Sequence, residues 1–127
     1  MIILDLPLPN SANTHWRHAR GFTYISKKGV EFRTKVADYV SDHRLIAPDG
    51  RLAVAIDLYP DSKRRMDIDN RVKPLLDALQ HAGVIEDDSL IDKLYVERKQ
   101  ILKGGKCRVY ISKVTYDSQD NDSQNLE

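Results

Sequence analysis

The chain of 127 residues has one cysteine, Cys107, so no disulfide can form within it, and a reducing, cytoplasmic setting is expected. It has no apolar run near the ~18 residues that a membrane-spanning helix needs, so no membrane association is expected. The opening Met1-Ile2-Ile3-Leu4-Asp5 lacks the basic start and long apolar stretch of a signal peptide. Glycine is sparse, and Gly104-Gly105-Lys106 has no upstream glycine at P-loop spacing, so it reads as a turn. His15-Trp16-Arg17-His18 has no second ligand pair to complete a zinc site. No Ser or Cys stands in a recognisable nucleophile motif. Acid is missing altogether from Asn10 to Lys28.

What is present is the composition of a single soluble domain, with 41% apolar and 31% charged residues. The net charge of +1 is unevenly spread. Four acids and no Lys or Arg fall between Asp117 and Glu127, which leaves the body with 20 bases against 15 acids. A modestly basic body permits a nucleic-acid partner without requiring one. Residues 1–116 read as the folded domain and 117–127 as an acidic, disordered tail.

Ile2 to Leu6 reads as a strand stopped by Pro7 and Pro9. Asn10 to Lys28 reads as a long irregular segment with a short strand at Phe22 to Ile25. Ser26 caps a helix to about Arg44, on which Phe32, Val36, Tyr39, Val40 and His43 share a face. Leu52, Val54, Ile56 and Leu58 alternate as a strand with one buried face. A second helix spans about Asn70 to Ala82 and is closed by Gly83, with Pro74 placed near its first turn. Leu90 to Leu102 and Cys107 to Tyr116 read as two strands joined in a hairpin around Gly104-Gly105. The expected fold is α+β: a mixed sheet with two principal helices.

Asp67-Ile68-Asp69-Asn70-Arg71-Val72-Lys73 carries the chemistry. Gathered carboxylates repel one another and need a cation to stay charged together. A hard ion such as Mg²⁺ takes oxygen ligands, usually one or two carboxylates plus a phosphate. Asp67 and Asp69 share a side only if Asp67 is extended, whereas Asp69 and Lys73 share a helical face. The plainer reading is that these acids cap a helix. Asp87-Asp88 could join them only if the chain doubles back after Gly83; otherwise it is a solvated acidic turn. The calcium-loop pattern fails, because Arg71 stands at the third ligand position and Ala78 where a Glu is needed. The acid-free segment carries Arg17, Arg20, Lys27 and Lys28 among Trp16, Phe22 and Tyr24, a pattern of either base stacking or satellite core. Lys63-Arg64-Arg65 puts positive charge directly before the acids.

Taken together, these residues resemble the RusA family of phage- and prophage-type Holliday junction resolvases. The resemblance runs from about Leu6 to Ser112. It rests on Leu6-Pro7-x-Pro9-x-Ser11-x-Asn13, a basic run into Asp67-x-Asp69-Asn70-x-x-Lys73, Leu76-Asp77-Ala78-Leu79, and Asp87-Asp88. It implies a homodimeric, Mg²⁺- or Mn²⁺-dependent endonuclease that cuts four-way branched DNA with paired nicks, in a bacterial or phage-infected cell. By position it assigns Asp67, Asp69 and Asp88 as catalytic metal-binding carboxylates and Lys73 as the catalytic lysine. Asn13, Trp16, Arg17, Arg20, Lys27, Lys28, Lys63, Arg64, Arg65 and Arg71 would hold DNA. Asn10 stands where a second proline is common, Trp16 where a tyrosine is expected, and Met66 replaces a basic residue. These departures are expected to touch DNA contacts rather than the metal site. Two other readings are a non-catalytic nucleic-acid-binding module, with the acids only capping and solvating, and a metal-dependent transferase using Asp-x-Asp on a nucleotide diphosphate. The lack of a nucleotide-binding glycine loop weighs against the second.

Overall fold

The computed structural model describes residues 1–115, so the acidic segment 117–127 and its expected disorder lie outside the described residues. Four strands build the main sheet: β1 (Ile2–Leu6), β4 (Leu52–Tyr59), β5 (Ile91–Arg98) and β6 (Lys106–Lys113). Their spatial order is β1-β6-β4-β5. β6 runs antiparallel to both β1 and β4, while β5 runs parallel to β4 with Ile56 opposite Val96. The sheet is therefore mixed, as expected.

Two long helices cover one face. Helix α2 (Lys27–His43) starts at Ser26, whose Oγ accepts the Gly29 N–H at 3.1 Å. It buries Phe32, Val36 and Val40, the core of the predicted stripe, while Tyr39 is half-buried and stacks on His43 at 4.0 Å. Helix α3 (Asp69–His81) buries Leu75, Ala78 and Leu79. These pack on Leu4, Val54, Ile56, Leu58, Val109 and Ile111, the inward half of the strand alternation. Pro74 lies inside the second turn of α3, fully within the packed face rather than near the first turn. Its missing N–H there forfeits one helical bond, which burial of the ring against the core offsets.

The predicted β5–β6 hairpin does not form. β4 lies between these two strands, so the intervening chain must pass the end of β4. It is pinned there by Lys99 N–H to the Leu58 carbonyl at 2.8 Å and Leu102 N–H to the Pro60 carbonyl at 2.9 Å. Gly104 and Gly105 do adopt positive φ, 89° and 70°, but in a turn within this crossing. The glycine pair permits a turn; it does not choose a strand's neighbour. β5 accordingly stops at Arg98, short of the expected Leu102.

The acid-free segment is also more ordered than expected. It forms a short helix α1 (Ala12–His15) followed by a separate two-stranded hairpin, β2 (Trp16–Ala19) with β3 (Phe22–Ile25).

Candidate active site

The acids of the heptad are not used to cap α3. The residue at the helix cap is Ile68, and among the described residues no side chain caps this end. Asp69 is in the first turn and Asp67 lies just outside it. Asp67 is half exposed, with Arg65 Nε at 3.7 Å from its carboxylate. The plain capping explanation for this motif is thereby removed.

Lys73 forms the centre of the arrangement. Its Nζ donates to Asp88 Oδ2 at 2.9 Å and lies 3.2 Å from Asp77 Oδ1, one turn along the helix. The hydrogen bond that Lys73 donates to Asp88 is the largest cause raising its pKa above the ordinary value; burial opposes it, and the Asp77 contacts add to the rise. Both carboxylates favour the charged form of the amine. Asp88 reaches it because the chain does double back: Val84 and Ile85 are buried, a 3₁₀ turn spans Asp88–Leu90, and β5 then returns beside β4. The Asp88 N–H donates to Gln80 Oε1 at 3.1 Å, fixing the turn to α3. Asp87 has a different task, its carboxylate accepting the Ser89 N–H at 2.9 Å, which lowers its pKa.

The three assigned carboxylates are not gathered into one cage. Among the described residues no group of three or more His, Cys, Asp or Glu side chains stands close enough to hold a metal ion. Asp88 joins α3 through Lys73; Asp69 and Lys73 both line a cleft of about 410 Å³ between α3 and β5. The rest of that cleft is apolar: Ile68, Val72, Leu76, Leu94 and Val96. Asp77, which has no assigned role in the sequence, is signalled by its four-residue spacing from Lys73 and by its place in the Leu76-Asp77-Ala78-Leu79 stretch.

The basic residues divide by environment. Lys28, Arg64, Arg65 and Arg71 line a second cleft, of about 610 Å³, together with Asp61 and Ser62. Lys63, Arg64 and Arg65 are exposed, but Arg71 is half-buried, with one guanidinium nitrogen donating to the Pro9 carbonyl at 2.7 Å. Arg71 therefore braces the β1–α1 connection while bordering the cleft. Asn13, Arg17, Arg20 and Lys27 are exposed. Trp16 is half-buried, edge-on to the His15 ring at 4.6 Å. Met66 is buried, and its carbonyl accepts from Arg98 at 2.7 Å. That departure is packed into the core while also bordering the basic cleft.

A family model described as endodeoxyribonuclease RusA matches residues 6–112. The chain belongs to the RusA family. A crossover junction endodeoxyribonuclease RusA of Enterobacteria phage HK97 is 40% identical over 111 residues, covering 86% of this chain and 92% of the relative. The protein of the same name from Escherichia coli K12 is 32% identical over 112 residues, covering 87% and 93%. That of Enterobacteria phage 82 is 33% identical over 112 residues, with the same coverage. The RusA match runs from the end of β1 to the last residues of β6, so it spans the Lys73 cluster, the basic cleft and the hairpin alike.

Proposed function

We propose that this chain is a Mg²⁺-dependent endonuclease that resolves Holliday junctions by paired, symmetric nicks, with Mn²⁺ as a substitute ion. The observation that carries the reading is Lys73, held between Asp88 and Asp77 on a helix whose leading acids are spared from capping. Carboxylate oxygens are the hard donors that Mg²⁺ takes, and one or two of them plus a substrate phosphate are its usual protein share. One or two of Asp67, Asp69 and Asp88, which do not form a three-carboxylate cage, would hold the ion together with a substrate phosphate. When bound, it would polarise the scissile phosphate and lower the pKa of a coordinated water.

The protein's own contribution is positioning and charge. Lys73, protonated across the neutral range, places a cation where negative charge grows on the phosphoryl oxygens. Asp88 and Asp77 hold its amine in place until substrate arrives. The cleft of Lys28, Arg64, Arg65 and Arg71 follows the backbone and keeps the phosphate near Asp67.

Paired nicks call for two sites related by two-fold symmetry. The edge strand β5 supports a homodimer: Leu94 is 44% and Tyr95 64% exposed on its two faces, apolar surface along a sheet edge that a second copy would cover.

Replacing Asp69 by Asn tests the reading. With a synthetic four-way junction in Mg²⁺, wild type should nick two opposing strands, while Asp69→Asn should lose nicking and keep binding. A wild-type protein that binds junctions but never nicks them in Mg²⁺ or Mn²⁺ would leave only the non-catalytic module.

A further inference from the structure

The β2–β3 hairpin carries two exposed aromatic rings that phosphate chemistry does not use. Its register sets Arg17 opposite Tyr24 and Ala19 opposite Phe22, so these four side chains share one face. Trp16, His18, Thr23 and Ile25 share the other. The first face is open: Phe22 is 61% and Tyr24 48% exposed, with ring centroids 6.0 Å apart. The second is secured, through Trp16 against His15 and a 2.9 Å bond between His18 Nδ1 and Thr23 Oγ1. Arg20 and Gly21 turn the hairpin with φ of 38° and 87°, a tight two-residue loop that sets a cation at the tip.

The arm is rooted rigidly. The Ser26 N–H donates to the His15 carbonyl at 2.8 Å, and the Ser26 hydroxyl donates to the Thr14 carbonyl while accepting from Gly29 N–H. Its two ends are thereby locked together on the N-terminus of α2. The rings are held ready rather than free to collapse onto the body.

The charge around them identifies the occupant. Arg17 shares the rings' face, Arg20 sits at the tip, Lys27 and Lys28 follow the arm in sequence, and no Asp or Glu occurs from Leu6 to Val30. A surface that is aromatic and uniformly cationic suits a partner that is planar and anionic. Bases inside an intact duplex are stacked on one another and offer no free face; bases at a strand exchange can offer one.

We propose that the β2–β3 arm recognises the branch itself, with Phe22 and Tyr24 stacking on bases unstacked at the crossover and Arg17 and Arg20 on the flanking phosphates. The proposal rests on reading the chain as a junction endonuclease. It makes structure selectivity a property of the arm and leaves the chemistry to α3.

The test uses the full chain in EDTA, with four-way junctions carrying 2-aminopurine at the crossover and matched linear duplexes. Wild type should change the 2-aminopurine fluorescence on binding. Phe22→Ala/Tyr24→Ala should abolish that change and weaken junction binding by about ten-fold or more, since base–aromatic stacking is worth that much per ring. Duplex binding should shift far less. Phe22→Tyr/Tyr24→Phe, which keeps both rings, should behave as wild type. An alanine variant that keeps the fluorescence change, or loses junction and duplex affinity equally, overturns the proposal. So does one that changes oligomeric state with the DNA signal intact, because the rings would then be covered by a second copy. The readout needs no metal. A wild type that gives the fluorescence change but never nicks in Mg²⁺ refutes the nuclease reading and leaves the arm standing.

Discussion

The Lys73 cluster and the β2–β3 arm are built in opposite ways. In the cluster, charges of both signs are already engaged with one another, and one partner comes from beyond the helix: Asp77 is a helical turn from Lys73, but Asp88 is 15 residues away and arrives by way of the turn that follows α3. In the arm, the strand pairing that sets the fold is local, and the open face carries two aromatic rings and a cation beside the small Ala19. The cluster depends on tertiary closure to hold a charge in register. The arm depends on a short root to present rings that remain free to bind. The two should therefore fail differently: damage to the cluster costs chemistry, and damage to the arm costs discrimination.

The largest separation should come from Lys73→Ala. Removing a preorganised cation from a phosphoryl-transfer site should slow single-turnover nicking by about 10²–10³-fold. Junction affinity should change little, because this amine is one cation among many along the DNA path. The pH profile sharpens the assignment. Asp88 and Asp77 raise the lysine's pKa, so its charge should persist past the ordinary value of 10.5. An alkaline limb below that value that disappears in Lys73→Arg would show Lys73 titrating as a base and break the comparison.

Gly29→Ala should act on the arm from below. A Cβ at Gly29 would lie 2.6 Å from Ile25 Cγ1 and 2.7 Å from the His15 carbonyl oxygen. The oxygen belongs to the backbone at the arm's root and cannot swing aside. Overpacking of this kind costs about 1–3 kcal/mol. Urea unfolding should show that loss, together with reduced selectivity for junctions over duplexes. An unchanged midpoint would mean that the root is pliant and the rings are not preorganised.

The two regions were also unequally legible. The spacing of Asp69 and Lys73 on one helix, the alternation in β4 and the cap at Ser26 are local patterns, and local sequence specifies them. Asp77 lay at a readable spacing but had no partner until Lys73 was seen to reach down the helix. The separation of β5 from β6 by β4 was not readable, since either edge of β6 could have accepted a neighbour and glycines suit any turn. Met66 looked like a lost basic contact because its position next to Asp67 was visible and its burial was not. In the arm, the family resemblance points to Trp16 as a DNA contact, and the sequence leaves Phe22 and Tyr24 open between base stacking and satellite core. Which rings face outward depends on the hairpin register, which starts at Trp16 opposite Ile25. One residue of slip would have exchanged the faces.

The smallest expected effect concerns the joint between the regions. His15 is fully buried at the foot of the arm, between the Trp16 and Phe32 rings, and neither ring nitrogen has a hydrogen-bond partner among the described residues. Burial lowers its pKa below 6.5, Arg33 lowers it further, and the field of Asp77 opposes both. The folded state therefore keeps His15 neutral where the unfolded chain takes up a proton. Below pH 6.5 the unfolded state binds more protons, so stability is present above that value and is lost as the pH falls. The slope can reach about 1.4 kcal/mol per pH unit for one such group. Urea unfolding from pH 8 to 5 should be level at first and then decline, and His15→Leu should flatten the decline. Parallel curves for the two proteins would show that His15 protonates freely in the folded state. The arm's root would then be open to solvent, and the contrast between a rigid arm and a closed cluster would be lost.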